Sequence, residues 1–384
     1  KFWNDGKQYL HIDLQIAACM DESLIYKIAL TQIPGIGPVQ AKQLLKHFIN
    51  PETIFKEKKS ALSLIENIGT VRAKSIKSFS GFSEVEKEIK CIEKHHITPL
   101  FIQDENYPKR LLNCYDPPIM LYYRGNADLN TSKIISIIGT RNNTDYGKMI
   151  TEKLVAELEN LNVLIVSGLA FGIDTIAHKT ALKNNLQTVG VLAHGLQSIY
   201  PQQHSSIAKE MCRQGGLLTE YTFDTNADKH NFPKRNRVVA GMSDATIVIE
   251  TAIKGGSMIT AELANNYNRD VFAFPGKTSD SKSAGCNYLI KNNKAILLTS
   301  AQDLIEIMGW EIKVVKKKIQ KELFIEFSDE EKMIISLFKE KDILHIDDIY
   351  LQCGLNSSAV AAAILNLEFQ NILTSLPGKM YKME

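Results

Sequence analysis

At 384 residues the chain is too long for one small domain, and 44% hydrophobic with 23% charged residues is the composition of a folded globular protein. A net charge of +2 excludes a uniformly basic polyanion binder, so any basic surface has to be local. No apolar run approaches the ~20 residues that cross a bilayer, so no membrane association is expected. The scattered cysteines (Cys19, Cys91, Cys114, Cys212, Cys286, Cys353) lack metal-ligand spacing and read as reduced thiols of a cytoplasmic protein.

In chain order, residues 1–20 have neither a helical period nor a signal-peptide layout; Met20 reads as a natural start and the segment before it as an extension. Residues 21–90 read as a helical domain. Within it, IPGIGPVQAKQLLKHF (33–48) and IENIGTVRAKSI (65–76) each run from apolar residues through a glycine turn into a helix with a basic residue inside. Both resemble the helix-hairpin-helix motif, with Gly35 and Gly37 exposing backbone amides in the first copy. The second keeps only Gly69 and has Asn67 where the first has Gly35. With eleven Lys/Arg against eight Asp/Glu over 21–90, charge does not decide between phosphate binding and a plain interaction module.

Residues 91–310 form the third region. ITPLFIQ (97–103) reads as a strand, and 107–126 as an extended connection into another. Beyond Ile134, strands are predicted at Ile134–Ile138, Val163–Ser167, Thr188–Ala193, Ala245–Ile249, Val271–Phe274 and Ala295–Leu298. Helices fall near 146–160, 173–184, 204–213, 234–242 and 258–268. Such alternation predicts a parallel sheet covered on both faces, whose ligands bind beyond the carboxyl ends of the strands. There the first strand runs into Gly139-Thr140-Arg141, the second into SGLAFGID (167–174), with Ser167, Gly168 and Gly172, and the fourth into Gly255-Gly256-Ser257. Glycine turns at helix N-termini offer backbone amides to anions, and Arg141 adds a forked cation. The stretch from Lys229 to Arg237 carries Lys229, Lys234, Arg235 and Arg237 with no acid, and Phe232 among them. A cationic segment with an aromatic beside a phosphate-sized turn points to a nucleic-acid backbone as ligand. Phe232 either stacks on a base or packs under Pro233; Arg235 and Arg237 either bind DNA or pair with a sheet-end acid such as Glu250.

Other chemistries lack their residues. After Gly139 the next glycine is Gly147, so the dinucleotide fingerprint is absent; PGKT (275–278) has Val271 where a phosphate loop needs its first glycine. Neither HExxH nor GxSxG occurs. Asp174 and His178, four apart, share a helix face and read as a structural pair.

The order of YPxxL, IIGTR (137–141), SGLAFGIDTIAH (167–178), GVLAHGL and YP (190–201), FPKRNRVVAGMSDA (232–245), KGGSMITAELA (254–264) and FAFPG (272–276) resembles the DNA-processing protein A family, DprA or Smf. That resemblance, from about Tyr107 to Leu304, implies an extended Rossmann-like α/β core with an N-terminal helical and a C-terminal winged-helix domain. It implies a non-enzymatic protein without cofactor or metal that binds and protects single-stranded DNA and loads the recombinase RecA in natural transformation, as a homodimer through the Rossmann-like domain. By position it implies DNA contacts at Gly139, Thr140, Arg141, Ser167, Gly168, Gly172, Lys229, Phe232, Arg235, Asn236, Arg237, Gly255, Gly256 and Ser257. Gln197 stands where the family often has an acid. The alternative on the same sheet is a nucleoside-monophosphate phosphoribohydrolase: Gly255, Gly256 and Glu262 keep the spacing of its GGxGTxxE turn, but Met258 and Ile259 replace the Gly and Thr.

EIKVVKKKIQKE (311–322) is Lys-rich with little apolar pattern, and 311–324 reads as a linker. Residues 325–384, with Ser328 as N-cap of the first helix, resemble a winged helix. The helix that would serve as its recognition helix, Ser357 to Phe369, carries almost no cations, which favours protein contact or packing over groove insertion.

Overall fold

The computed structural model describes residues 23–310, 327–338, 342–370, 372–376 and 379–383. The expected extension and linker lie outside them. The chain divides into two compact units, Lys1–Lys313 and Val314–Glu384.

The first unit contains, among the described residues, a nine-stranded sheet in the order β1-β2-β6-β5-β4-β3-β7-β8-β9. Its strands are β1 (Thr98–Phe101), β2 (Met120–Gly125), β3 (Ile134–Ile138), β4 (Leu164–Ser167), β5 (Thr188–Val191), β6 (Gly215–Thr219), β7 (Ala245–Val248), β8 (Asp270–Ala273) and β9 (Ile296–Leu297). From β6 to β9 all neighbours are parallel, whereas β1 with β2 and β2 with β6 are antiparallel, so the sheet is mixed rather than purely parallel. β3, β4 and β7 are buried at every position, which is why their sequences are unbroken apolar runs instead of alternating ones. The chain moves from β3 outward to β6 and then returns to the other side of β3 with β7. The switch point therefore lies between β3 and β7.

β6 is the strand the sequence conceals. Its two leading glycines resemble a turn, yet they sit inside the sheet because a side chain there would meet strand backbone and the Tyr123 ring. Tyr123 Oη donates to Gly215 O at 2.8 Å and receives the Ala127 amide at 2.8 Å, stitching β2 to β6. Four strands are preceded by an asparagine in left-handed conformation: Asn162, Asn185, Asn268 and Asn293, ahead of β4, β5, β8 and β9, with φ between 51° and 55°. Asparagine tolerates this region, so each ends the preceding helical segment and turns the chain into the sheet.

The helices after the strands include α8 (Asp145–Glu157), α9 (Ile173–Lys183), α10 (Ser205–Met211), α11 (Asn231–Gly241) and α12 (Gly256–Asn266). The cationic stretch thus starts α11 three residues earlier than its period indicates. The connection over 107–126 is not wholly extended, since Lys109–Leu112 is a short helix, α7. Two further helices, α13 (Ala284–Lys291) and α14 (Ala301–Ile307), flank β9.

Ahead of the sheet lie α1 (Ser23–Gln32), α2 (Pro38–His47), α3 (Pro51–Lys56), α4 (Lys59–Ser63), α5 (Gly69–Lys77) and α6 (Phe82–Lys94). α1–α2 and α4–α5 are the two hairpins. Gly35 has φ 80° and Asn67 φ 64°, so the departure at Asn67 keeps the left-handed turn. Arg72 ties the turns together, donating to Gly35 O at 3.0 Å and Asn67 O at 3.1 Å. This module is joined to the sheet by Lys27 with Asp104 (3.3 Å), by Lys42 on Cys114 O (3.3 Å), and by the buried Glu88, which accepts the Phe223 amide at 2.8 Å.

The second unit comprises α15 (Asp329–Leu337), β10 (Ile343–His345), α16 (Ile346–Cys353), α17 (Ser357–Phe369), β11 (Leu373–Leu376) and β12 (Met380–Met383), with strand order β10-β12-β11. Ser328 caps α15, accepting the Glu331 amide at 3.2 Å. Ile334, Phe338, Leu344, Ile349, Val360, Ile364, Leu367 and Leu373 fill its core. Three helices and a small antiparallel sheet make this a winged helix.

Candidate nucleic-acid interface

The three glycine turns expected to act together follow β4, β3 and β7, which are adjacent parallel strands, so all three emerge at one sheet edge. They also touch. Thr140 N donates to Glu250 O at 2.7 Å, joining the β3 and β7 turns, and Ile173 N donates to Thr140 O at 3.3 Å, joining those of β3 and β4. Gly172, at φ 77°, lies so close to the Thr140–Arg141 backbone that any side chain would collide with it.

At this edge Arg141 is exposed and its guanidinium lies over the Phe232 ring, 5.3 Å from the centroid, in a cation–π contact. Phe232, half-buried on α11, also meets Tyr200 at 5.8 Å between centroids. Lys229 and Lys234 are exposed beside them. Gly256 begins α12 and is exposed, while Gly255 donates its amide to Ala252 O at 2.9 Å.

Several residues expected at the ligand are turned into the protein instead. Arg235 is 4% exposed; it donates to Gly168 O at 2.5 Å and to Val191 O, and Asn236 accepts from its Nε at 3.2 Å. Burial pushes its guanidinium down to about 10, against the opposing pull of Asp174. Arg237 is braced by Glu220, Asp116 O and the Asp116 carboxylate. Glu250 is partner to neither arginine: it accepts Thr144 N at 2.9 Å and Thr144 Oγ1 at 2.6 Å, closing the start of α8. The fully buried Ser167 hydroxyl donates to Ile137 O at 2.6 Å, and the Ser257 hydroxyl to Thr251 Oγ1 at 2.7 Å. These side chains hold strand ends and helix starts in place.

Asp174 and His178 do not pair. Asp174 accepts Gly168 N at 3.2 Å and Ala170 N at 3.3 Å, and burial lifts its carboxyl above the usual range. His178 meets Thr188 Oγ1 at 2.7 Å, and burial holds its imidazole down to about 3, hence uncharged at neutral pH.

Sequence reasoning passed over two exposed aromatics at this edge, Phe171 (45% exposed) and Tyr200 (53% exposed). Their only advance signal is position: Phe171 stands between turn glycines, and Tyr200 precedes a proline. Glu262, needed by the hydrolase alternative, is exposed and directed to Lys294 at 3.6 Å. Among the described residues no group of His, Cys, Asp or Glu assembles as a metal site, and no helix is long and apolar enough to cross a membrane.

The fold and site define a Rossmann-like α/β protein with a glycine-turn rim at its switch point, a tandem helical-hairpin module before it and a winged helix after it. The model for DNA recombination-mediator protein A matches residues 98–309, the SAM-like helix-hairpin-helix tandem 27–79, and the DprA winged helix domain 325–379. The chain belongs to the DprA/Smf family. It is 36% identical to Protein Smf of Synechocystis, over 73% of this chain and 72% of that one. Against DNA processing protein DprA of Streptococcus pneumoniae it is 40% identical, over 53% and 72%. The X-ray structure of the pneumococcal DprA superposes with TM-score 0.64 at 32% identity, covering 73% of this chain and 97% of that one. DprA from Helicobacter pylori, studied for its single-stranded DNA binding mode, gives 0.51 at 34% identity, covering 56% and 95%.

Proposed function

We propose that this protein binds single-stranded DNA without sequence preference along the rim of β4, β3 and β7, protects it, and loads RecA onto it during DNA uptake and recombination. It does so without catalysis, in the cytoplasm, as a homodimer through the α/β domain. The observation that carries the reading is the Arg141 guanidinium held on the Phe232 ring at the switch point. A phosphate can approach the cation while a base stacks on an aromatic neighbour, and neither interaction distinguishes bases. Lys229 and Lys234 extend the positive surface, and Gly139, Thr140, Gly172 and Gly256 supply backbone at the groove. Asn236, Arg235, Arg237, Ser167, Gly168, Gly255 and Ser257 act from behind, holding the elements that carry the contacts. Family membership supports the hand-off to RecA and the dimer.

The test is fluorescence anisotropy with a labelled oligothymidine over a salt series. Arg141→Ala with Lys229→Ala should bind more weakly and lower the slope of log K against log salt by roughly 0.7 for each phosphate contact removed. Unchanged affinity and slope would remove the rim as the binding site. Release of free base from nucleoside monophosphates would favour the hydrolase alternative instead.

A further inference from the structure

The loop between β4 and α9, residues 168–172, is more tightly held than a connection requires. Gly168 N and Ala170 N both donate to the Asp174 carboxylate. Gly168 O accepts from Arg235, Leu169 O meets His204 Nδ1 at 2.9 Å, and Ala170 O accepts the Thr175 hydroxyl. Asp174, Thr175, His204 and Arg235 are all buried. Within the loop Leu169 has φ 55°, a left-handed conformation uncommon for leucine that persists only where surroundings over-determine it. All this fixes a loop whose outermost side chain, Phe171, is a large apolar ring left 45% exposed.

Phe171 is also tied through its neighbours to the Arg141–Phe232 pair. Its ring meets His204 edge-on at 4.9 Å. His204 ends the loop that carries Tyr200; Tyr200 meets Phe232, and Phe232 carries the Arg141 guanidinium. The Arg141 backbone packs against Gly172, the next residue after Phe171. Phe171, Tyr200, Phe232 and Arg141 are thus linked, directly or through an adjacent residue, at the same sheet edge. An exposed ring on an over-determined loop is pre-organised, so little ordering entropy is lost when something stacks on it.

We propose that Phe171 is a base-stacking residue, adding a second aromatic platform to Phe232 at the same sheet edge. It takes a nucleobase of the same single strand whose sugar-phosphate chain runs over Arg141. This rests on the single-strand reading of the rim. It differs from that reading in assigning the base contact to a loop with no cation of its own.

The experiment compares wild type, Phe171→Ala, Phe171→Leu and Phe171→Trp on two labelled oligonucleotides of equal length, one oligothymidine and one fully abasic. Phe171→Ala should weaken binding to oligothymidine by roughly 5- to 150-fold, the range that a lost aromatic–base stack spans, and leave abasic affinity and the salt slope unchanged. Phe171→Leu, which keeps the apolar bulk, should show the same selective loss. Phe171→Trp should retain affinity, with its fluorescence quenched by oligothymidine and not by the abasic strand. Equal losses on both strands, or no loss on oligothymidine, would overturn the assignment while leaving the rim intact. Failure of the wild type to bind either strand would overturn both proposals.

Discussion

Arg141 and Arg235 look alike in sequence, each a cation near a turn, yet the fold spends them differently. Arg141 is exposed, and its replacement by alanine should change stability by no more than ~0.5 kcal/mol, as for other surface positions. Arg235 satisfies two carbonyls and faces Asp174 from a buried position. Arg235→Ala should therefore destabilise by about 3–5 kcal/mol, because it removes the charge that faces the buried Asp174 and leaves the Gly168 and Val191 carbonyls without their donor. Urea unfolding of the two variants side by side separates a ligand-facing cation from a structural one; equal midpoints would contradict the assignment. The sequence carried the turn glycines, Arg141 and Phe232 because residue type states their chemistry. It could not carry burial. Arg235 and Arg237 lie two apart on α11, and only the neighbours, Val191 and Gly168 on one side and Glu220 and Asp116 on the other, turn both inward. Phe171 was illegible for the converse reason, since a phenylalanine is expected inside.

Among elements, β3, β4 and β7 were legible as unbroken apolar runs, whereas β6 was not, because glycine marks turns far more often than strand interiors. Its glycines are required by close approach, a side chain at Gly215 meeting Thr188 O and one at Gly216 the Tyr123 ring, and across the seam a side chain at Gly125 of β2 would run into Gly215 O and Gly216 Cα. Gly125→Ala should cost about 1–3 kcal/mol by prying β2 from β6, measurable as a lowered thermal midpoint. The contact of α6 with the segment after β6 gives a second expectation. Burial pushes Glu88 up to about 7, reinforced by Asp224 and opposed by the Phe223 amide. A carboxyl whose folded value is raised contributes stability at low pH that is lost as pH rises through that value. Glu88→Gln keeps an acceptor for the amide and removes the charge. Its thermal midpoint should gain on wild type as pH increases from 4.5 to about 7, and an unchanged difference across that window would refute the account.

For the whole molecule, each unit has a hydrophobic core of its own among the described residues. The clusters that fill the sheet and helical module contain residues up to Ala295 and Ile305, and the winged-helix cluster begins at Ile334. Residues 23–310 expressed alone should fold and keep the single-strand affinity of the full chain, checked by circular dichroism and anisotropy. Loss of binding in that fragment would place part of the site in the second unit. The winged helix was visible from the Ser328 cap and the succession of helix, turn, helix and short ribbon that follows it.

The left-handed asparagines Asn162, Asn185, Asn268 and Asn293 have a practical consequence. They sit at the amino ends of their strands, hence at the border of the sheet away from the glycine turns. A cysteine replacing the exposed Asn160, two residues before Asn162, offers a dye attachment point remote from the groove. Such a handle would let single-molecule measurements follow arrival and departure of the strand without obstructing it.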